Sequence, residues 1–136
     1  MNIIVTGAAS GIGRRVVTLL AERGQTLVAA DIDQAGLERA SAECGWPAER
    51  VTLASHDVRS AESWSQLTEL PCLRAAGLDA LVNVAGVLRV EEVSNLRPES
   101  VALQLDVNTK GTIFGTQAAA RAMMPRRKGR IINIAS

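Results

Sequence analysis

The stretch TGAASGIG, Thr6 to Gly13, carries glycines at positions 7, 11 and 13 and begins on the last residue of the β-branched run NIIVT, 2–6. Glycine at such positions permits a tight turn and lets backbone approach a ligand without a Cβ in the way. A helix starting within the stretch would turn unpaired N–H groups and the positive end of its dipole toward a pyrophosphate. Twenty residues after Gly11 stands Asp31, where a carboxylate accepts both ribose hydroxyls of an adenosine. The chemistry this spacing points to is dinucleotide binding. The same carboxylate would repel a 2′-phosphate at short range, and Ser10 occupies the place before Gly11 where an arginine or lysine could rescue it. NAD is therefore expected over NADP. Arg14 and Arg15, in the first helical turn, are read as a solvated face.

Such a loop works only between a strand and a helix, and the chain supplies both. After the strand at 2–6, apolar residues at Ile12, Val16, Leu19 and Leu20 mark one face of a helix over 12–23, stopped by Gly24. A second strand is expected at 26–31 and a second helix at 34–43, closed by Gly45 and Pro47. Strands at 50–58 and 78–86 flank a helix at 61–70, a long helix runs from Pro98 to Met124, and RIINIAS, 130–136, is strand five. Strands alternating with helices imply βαβ units. The short apolar runs fit strands buried on both sides. The expected fold is α/β: a doubly wound, Rossmann-type parallel sheet of order 3-2-1-4-5 with helices on both faces, forming a single dinucleotide-binding domain over 1–136.

Composition narrows the function classes. Fifteen basic and fourteen acidic residues leave a net charge of +1, and no run of like charge exceeds Arg126, Arg127, Lys128. Nucleic acid and anionic membrane surfaces are thus unexpected partners, and with no long apolar span or cleavable leader the chain reads as cytoplasmic. Cys44 and Cys72 lack metal-ligand spacing and are read as reduced, partly buried thiols; no metal site is expected.

Two further polar residues stand out. In the long helix, Val101, Leu105, Asn108, Gly111 and Thr112 fall at helical spacing, which places an asparagine, a poor mid-helix residue, on the face turned to the sheet. A buried amide must find partners, so Asn108 is read either as a brace for strand four or as a functional group. Ser136 stands at the carboxyl end of strand five, where parallel sheets place ligand chemistry.

TGAASGIG, Asp31, HDV (56–58), NVAG (83–86), VNTKGT (107–112) and GRIINIAS (129–136), collinear over the whole chain, together resemble the classical short-chain dehydrogenase/reductase family. The resemblance implies that Gly7, Ser10, Gly11, Ile12 and Gly13 wrap the pyrophosphate. Asp31, followed by Ile32, would hold the adenosine ribose, and Asp57 and Val58 would meet the adenine, with the carboxylate accepting from its amino group. Asn83 would steady the central strand, and Ala85 and Gly86 would give close backbone approach to the cofactor. Val84 replaces the family's second asparagine. The resemblance assigns Asn108 the role of distorting its helix and holding a water that links the catalytic lysine to solvent. It likens Ser136 to the catalytic serine, which hydrogen-bonds the substrate carbonyl or hydroxyl.

The family's acid-base tyrosine and its lysine, spaced Y-x-x-x-K, follow that serine, and this sequence has no tyrosine. Lys110 and Lys128 do not match the lysine, and His56, beside Asp57, is read as a surface or satisfied histidine. The domain is accordingly expected to be incomplete at its C-terminus. The parent protein is expected to be an NAD-dependent oxidoreductase acting on a small-molecule substrate, a secondary alcohol or its ketone, and a homodimer or homotetramer when complete. The alternative is a catalytically dead dinucleotide-binding module, a pseudoenzyme or gene fragment. The helix over 112–124, rich in small apolar residues, suits either core packing or a dimer face.

Overall fold

The computed structural model describes residues 1–135. Five strands, β1 (Asn2–Thr6), β2 (Thr26–Asp31), β3 (Val51–Ser55), β4 (Ala80–Asn83) and β5 (Arg130–Asn133), form one sheet of order β3-β2-β1-β4-β5. Every pairing is parallel. The doubly wound α/β arrangement expected from the alternation is the one observed.

Alternation within the strands assigns the two faces. Ile3 and Val5 of β1 and Leu27 and Ala29 of β2 pack with Val17 and Ala21 of α1 (Gly11–Glu22) and with Leu37 and Ala40 of α2 (Gln34–Cys44). Their neighbours Ile4, Val28 and Ala30, with Leu81 of β4, point the other way. They meet Trp64 and Leu67 of α3 (Ala61–Thr68), Leu73 of α4 (Pro71–Ala76), and Ala119 and Met123 of α6 (Gly111–Met123). A one-residue slip of any central strand would exchange these sets, so the register is fixed by both layers at once.

Caps set the helix ends. The Asp33 carboxylate accepts the Gly36 N–H at 2.9 Å to start α2, and Gly45, in the left-handed conformation, ends it. Ser60 Oγ accepts the Ser63 N–H at 3.1 Å to start α3. Pro98 opens α5 (Pro98–Gln104), which runs into a π-helical segment, Leu105–Lys110, and then α6.

Several boundaries differ from the expectation. The strands expected at 50–58 and 78–86 are shorter, ending at Ser55 and Asn83, because the chain turns at their carboxyl ends to line a cleft. Strand five ends at Asn133 within the described residues, and with β5 at the sheet edge Ile132 and Ile134 are exposed. The helix expected at 61–70 stops at Thr68, and α4 follows, begun by Pro71. The buried stripe of the long helix is Gly111, Gly115, Ala119 and Met123, while Leu105 and Asn108 are exposed rather than turned to the sheet. The π turn accounts for this shift: its i→i+5 bonds widen one turn and rephase everything before it. Gly115 is required where the stripe presses on the sheet, since a Cβ there would stand 2.6 Å from the Trp64 ring and 2.7 Å from Asn83 Oδ1.

Candidate functional site: a cleft at the carboxyl ends of the strands

The turn between β1 and α1 is shaped by what its glycines must avoid. Gly7, at φ +67, lies so close to the end of β4 that a Cβ would stand 2.9 Å from both Cα and N of Ala85. Gly13 packs under it, and a Cβ there would run into the Gly7 carbonyl oxygen. Gly11, at φ +51, has open space around it and is needed for its conformation alone. Ser10 is extended and forms no side-chain cap with α1, so the first amides of the helix have no capping oxygen and face the cleft. This is a polar, positively polarised cradle of the kind that takes a phosphate.

At the end of β2, the Asp31 carboxylate is held by two backbone amides: Oδ2 accepts from Ala9 and Oδ1 from Asp33, each at 3.0 Å. The loop after β3 docks beside it through the His56 N–H, which donates to the Asp31 carbonyl at 2.8 Å. Asp57 takes a fork from Arg59, with Nη2 2.7 Å from Oδ2 and Nε 2.9 Å from Oδ1. That guanidinium holds the Asp57 carboxyl below its ordinary range. His56 is buried, its ring edge-on to Trp64 with centroids 4.3 Å apart, and its Nδ1 lies 2.8 Å from Ser63 Oγ. Ser63 Oγ also accepts the Asp57 N–H at 3.2 Å. Burial lowers the His56 pKa to about 4, and its Nε2 has no hydrogen-bond partner among the described residues. The reading of His56 as a surface or satisfied side chain is corrected accordingly: it is a buried, half-satisfied residue of the cleft wall.

The third wall follows β4. Thr6 Oγ1 accepts the N–H groups of Val84 and Ala85 at 3.1 and 3.2 Å, drawing the end of β4 over the glycine turn. Asn83 is buried beneath this wall and donates from Nδ2 to Asn133 Oδ1 at 2.9 Å, tying β4 to β5. Asn108 lies within the π segment, and its amide bonds both ends of Val87: Oδ1 accepts the N–H and Nδ2 donates to the carbonyl, both at 2.8 Å.

These walls enclose one cleft of about 560 Å³. The glycine turn brings Gly7, Ser10, Gly11, Ile12 and Gly13 to it, the end of β2 Asp31 and Ile32, the loop after β3 Asp57 and Val58, and the loop after β4 Ala85 and Gly86. Asn83 and Asn108 act from behind the lining. Ser136 lies outside the described residues. Arg14, expected on a solvated face, reaches back to α2 instead, with Nε 3.1 Å from Cys44 Sγ and Nη2 2.8 Å from Glu43. Sequence reasoning missed Thr6, Ser63, Arg59 and Arg89 as parts of the site; of these only Thr6, ending a strand directly before the glycines, carried a signal in its position.

Comparison with known proteins places this geometry. A family model described as short chain dehydrogenase matches residues 1–136. An uncharacterized oxidoreductase of Staphylococcus aureus is 32% identical over 133 residues, 98% of this chain and 57% of that protein. A 3-beta-hydroxysteroid dehydrogenase of Comamonas testosteroni is 36% identical over 133 residues, 98% of this chain and 51% of that protein. Among solved structures, the closed form of a serine dehydrogenase complexed with NADP+ superposes with a TM-score of 0.88 at 30% identity, covering all of this chain and 54% of the other. The chain spans about half the length of the curated relatives it matches. No helix among the described residues is long and apolar enough to cross a membrane.

Proposed function

The chain belongs to the short-chain dehydrogenase family, and from that premise we propose that it is the cofactor-binding portion of an NAD-dependent oxidoreductase acting on a secondary alcohol and its ketone. The observation that carries this reading is the single cleft shared by the uncapped glycine turn, the Asp31 carboxylate and the Ala85–Gly86 wall.

The residues fit a dinucleotide at each point. The first turn of α1 would take the pyrophosphate on its backbone N–H groups, with Gly7 and Gly11 keeping side chains out of the way. Asp31, already oriented by two amides, would accept the ribose hydroxyls, and Asp57 with Val58 would border the adenine. When bound, the nicotinamide supplies the hydride acceptor or donor. Thr6 and Asn108 fix the backbone of Val84, Ala85 and Val87, which would define one wall for the reacting end. Ser136, through the family resemblance, would hydrogen-bond the substrate oxygen. Activity of the whole protein, a cytoplasmic location and a dimeric or tetrameric state belong to the same reading.

Preference for NAD rests on charge. The serine dehydrogenase of similar fold was solved with NADP+, but the two cations lining this cleft are not placed to offset a 2′-phosphate beside Asp31. Arg59 is committed to Asp57, and Arg89 follows β4, two strands away from the end of β2. Calorimetric titration with NADH and NADPH tests the reading: NADH is expected to bind more tightly, and absence of binding by either would end it. Binding of NADH without hydride transfer to any secondary alcohol or ketone by the intact protein would identify a binding module instead.

A further inference from the structure

Arg89, exposed at the cleft, is the one charged lining residue whose side chain has no polar partner among the described residues. The other cation, Arg59, is neutralised by Asp57, and Asp31 is bonded by two amides. Of the acids along the same loop and helix, Glu91 and Asp106 are engaged, whereas Glu92 and Glu99 form no ion pair among the described residues. Glu91 accepts from Arg97 Nε and Ser100 Oγ, each at 2.8 Å, and from the Arg97 N–H at 3.0 Å. Asp106 is paired with Lys110 at 3.2 Å. Arg89 makes no ion pair among the described residues, although Asp57 of the cleft, Glu91 of its loop and Asp106 of the π segment are held by other cations.

The backbone carrying it is held from both sides. Asn108 bonds both ends of Val87, and the Arg89 N–H donates to Gln104 Oε1 at 3.2 Å. Gln104 is itself oriented, its Nε2 donating to the Ser100 carbonyl at 3.2 Å. Gln104 of α5 and Asn108 of the π segment thus hold a three-residue stretch that ends at Arg89, an exposed residue lining the cleft together with Val87, Leu103 and Val107. Order along the sheet separates this cation from the adenosine side: Asp31 and Asp57 follow β2 and β3, the phosphate cradle follows β1, and Arg89 follows β4. The cradle already serves the pyrophosphate, which leaves Arg89 for a different anion.

Resting on the oxidoreductase reading, we propose that Arg89 is a specificity-determining residue that receives the carboxylate of an acid-bearing alcohol or ketone with a short apolar body. A planar fork of N–H donors matches a carboxylate, and the apolar residues beside it would receive the short body of the substrate.

The test uses the intact protein and two independent readouts. NADH binding is measured first by its fluorescence, which reports on the cofactor site alone. Saturation-transfer NMR then compares short hydroxy and keto acids, such as 3-hydroxybutyrate, with neutral counterparts in which the carboxylate is a hydroxymethyl group. The wild type is expected to favour at least one acid over its counterpart by roughly 10-fold or more, and Arg89→Gln to erase that preference while NADH affinity holds within about 2-fold. Arg89→Lys, which keeps the charge but not the fork, is expected to retain only part of it. No acid preference in the wild type, a preference that survives Arg89→Gln, or an equal loss of NADH affinity would each overturn the proposal. Failure of NADH to bind at all would instead refute the cofactor reading.

Discussion

The Asn108 side chain closes both ends of the Val87 backbone, accepting its N–H and donating to its carbonyl at 2.8 Å each. The contact joins the π segment to the loop after β4, and it explains why an exposed mid-helix asparagine stands where helix propensity disfavours it. Asn108→Ala loses both bonds, each contributing about 0.5–1.5 kcal/mol. Asn108→Asp keeps an acceptor for the N–H but sets a carboxylate against the carbonyl. In both variants amide exchange at residues 86–89 is expected to accelerate well beyond that of α1. Equal protection across the two regions would show that the amide does not hold the loop.

Gly13 and Gly11 separate two reasons for glycine within one turn. Gly13→Ala drives a Cβ into the Gly7 carbonyl, a backbone atom that cannot rotate aside, and an overpacked contact of this kind costs about 1–3 kcal/mol or more. Gly11→Ala meets open space and loses only the ease of φ +51, about 1–2 kcal/mol. Urea midpoints are expected to rank wild type, Gly11→Ala, Gly13→Ala in falling order, with NADH binding lost in the last. A Gly13→Ala protein as stable as Gly11→Ala would contradict the packing described.

Much of this architecture was legible in the residues, and the parts that were not share physical causes. The parallel sheet covered on both faces followed from the alternation of apolar runs with amphipathic stretches, because each strand such as 27–30 had to bury both faces, and the doubly wound pattern then supplied the strand order. The helix α4 escaped because six residues are too few to show a period, although Pro71 and Gly77 marked its ends. Periodicity missed the π turn because a change from i→i+4 to i→i+5 bonding leaves no compositional trace, and the expected face of Asn108 went with it, although the family resemblance had assigned a helix distortion to that residue. The glycine turn and Asp31 were readable from spacing. The Asn108–Val87 bonds depend on how a loop folds back onto a helix 21 residues away, which no local pattern encodes.

Asp31 is predicted to set cofactor choice. Its two oxygens are oriented by Ala9 and Asp33 before any ligand arrives, so little is lost in ordering them. Asp31→Ser removes the charge that would face a 2′-phosphate and weakens acceptance from the ribose hydroxyls. NADH affinity is expected to fall by about 10-fold, the worth of a hydrogen bond to a charged group, while NADPH affinity holds or rises. The ratio of the two dissociation constants decides the matter, and a ratio unchanged from wild type would remove Asp31 from the selectivity argument.

His56 should make stability depend on pH in a window that the carboxylates do not share. Its folded pKa lies at about 4, against an ordinary value of 6.5, because burial beside Trp64 disfavours the imidazolium. Between those values the unfolded chain binds a proton that the folded chain refuses. Stability is therefore complete above pH 6.5 and falls as pH drops toward about 4, by up to about 3 kcal/mol for a depression of this size. Glu91, held at about 2 by the Arg97 N–H, Ser100 and the Arg97 guanidinium, acts lower, and its contribution is lost only as pH falls below its ordinary range. Asp57, lowered by Arg59, and Asp79, lowered by the Asn2 N–H, behave in the same sense. Urea unfolding of His56→Gln is expected to show a flattened slope between pH 6.5 and pH 4.5, since no side chain at that position then titrates. A slope equal to wild type across the window would mean that the imidazole is reached by water and is not the group responsible.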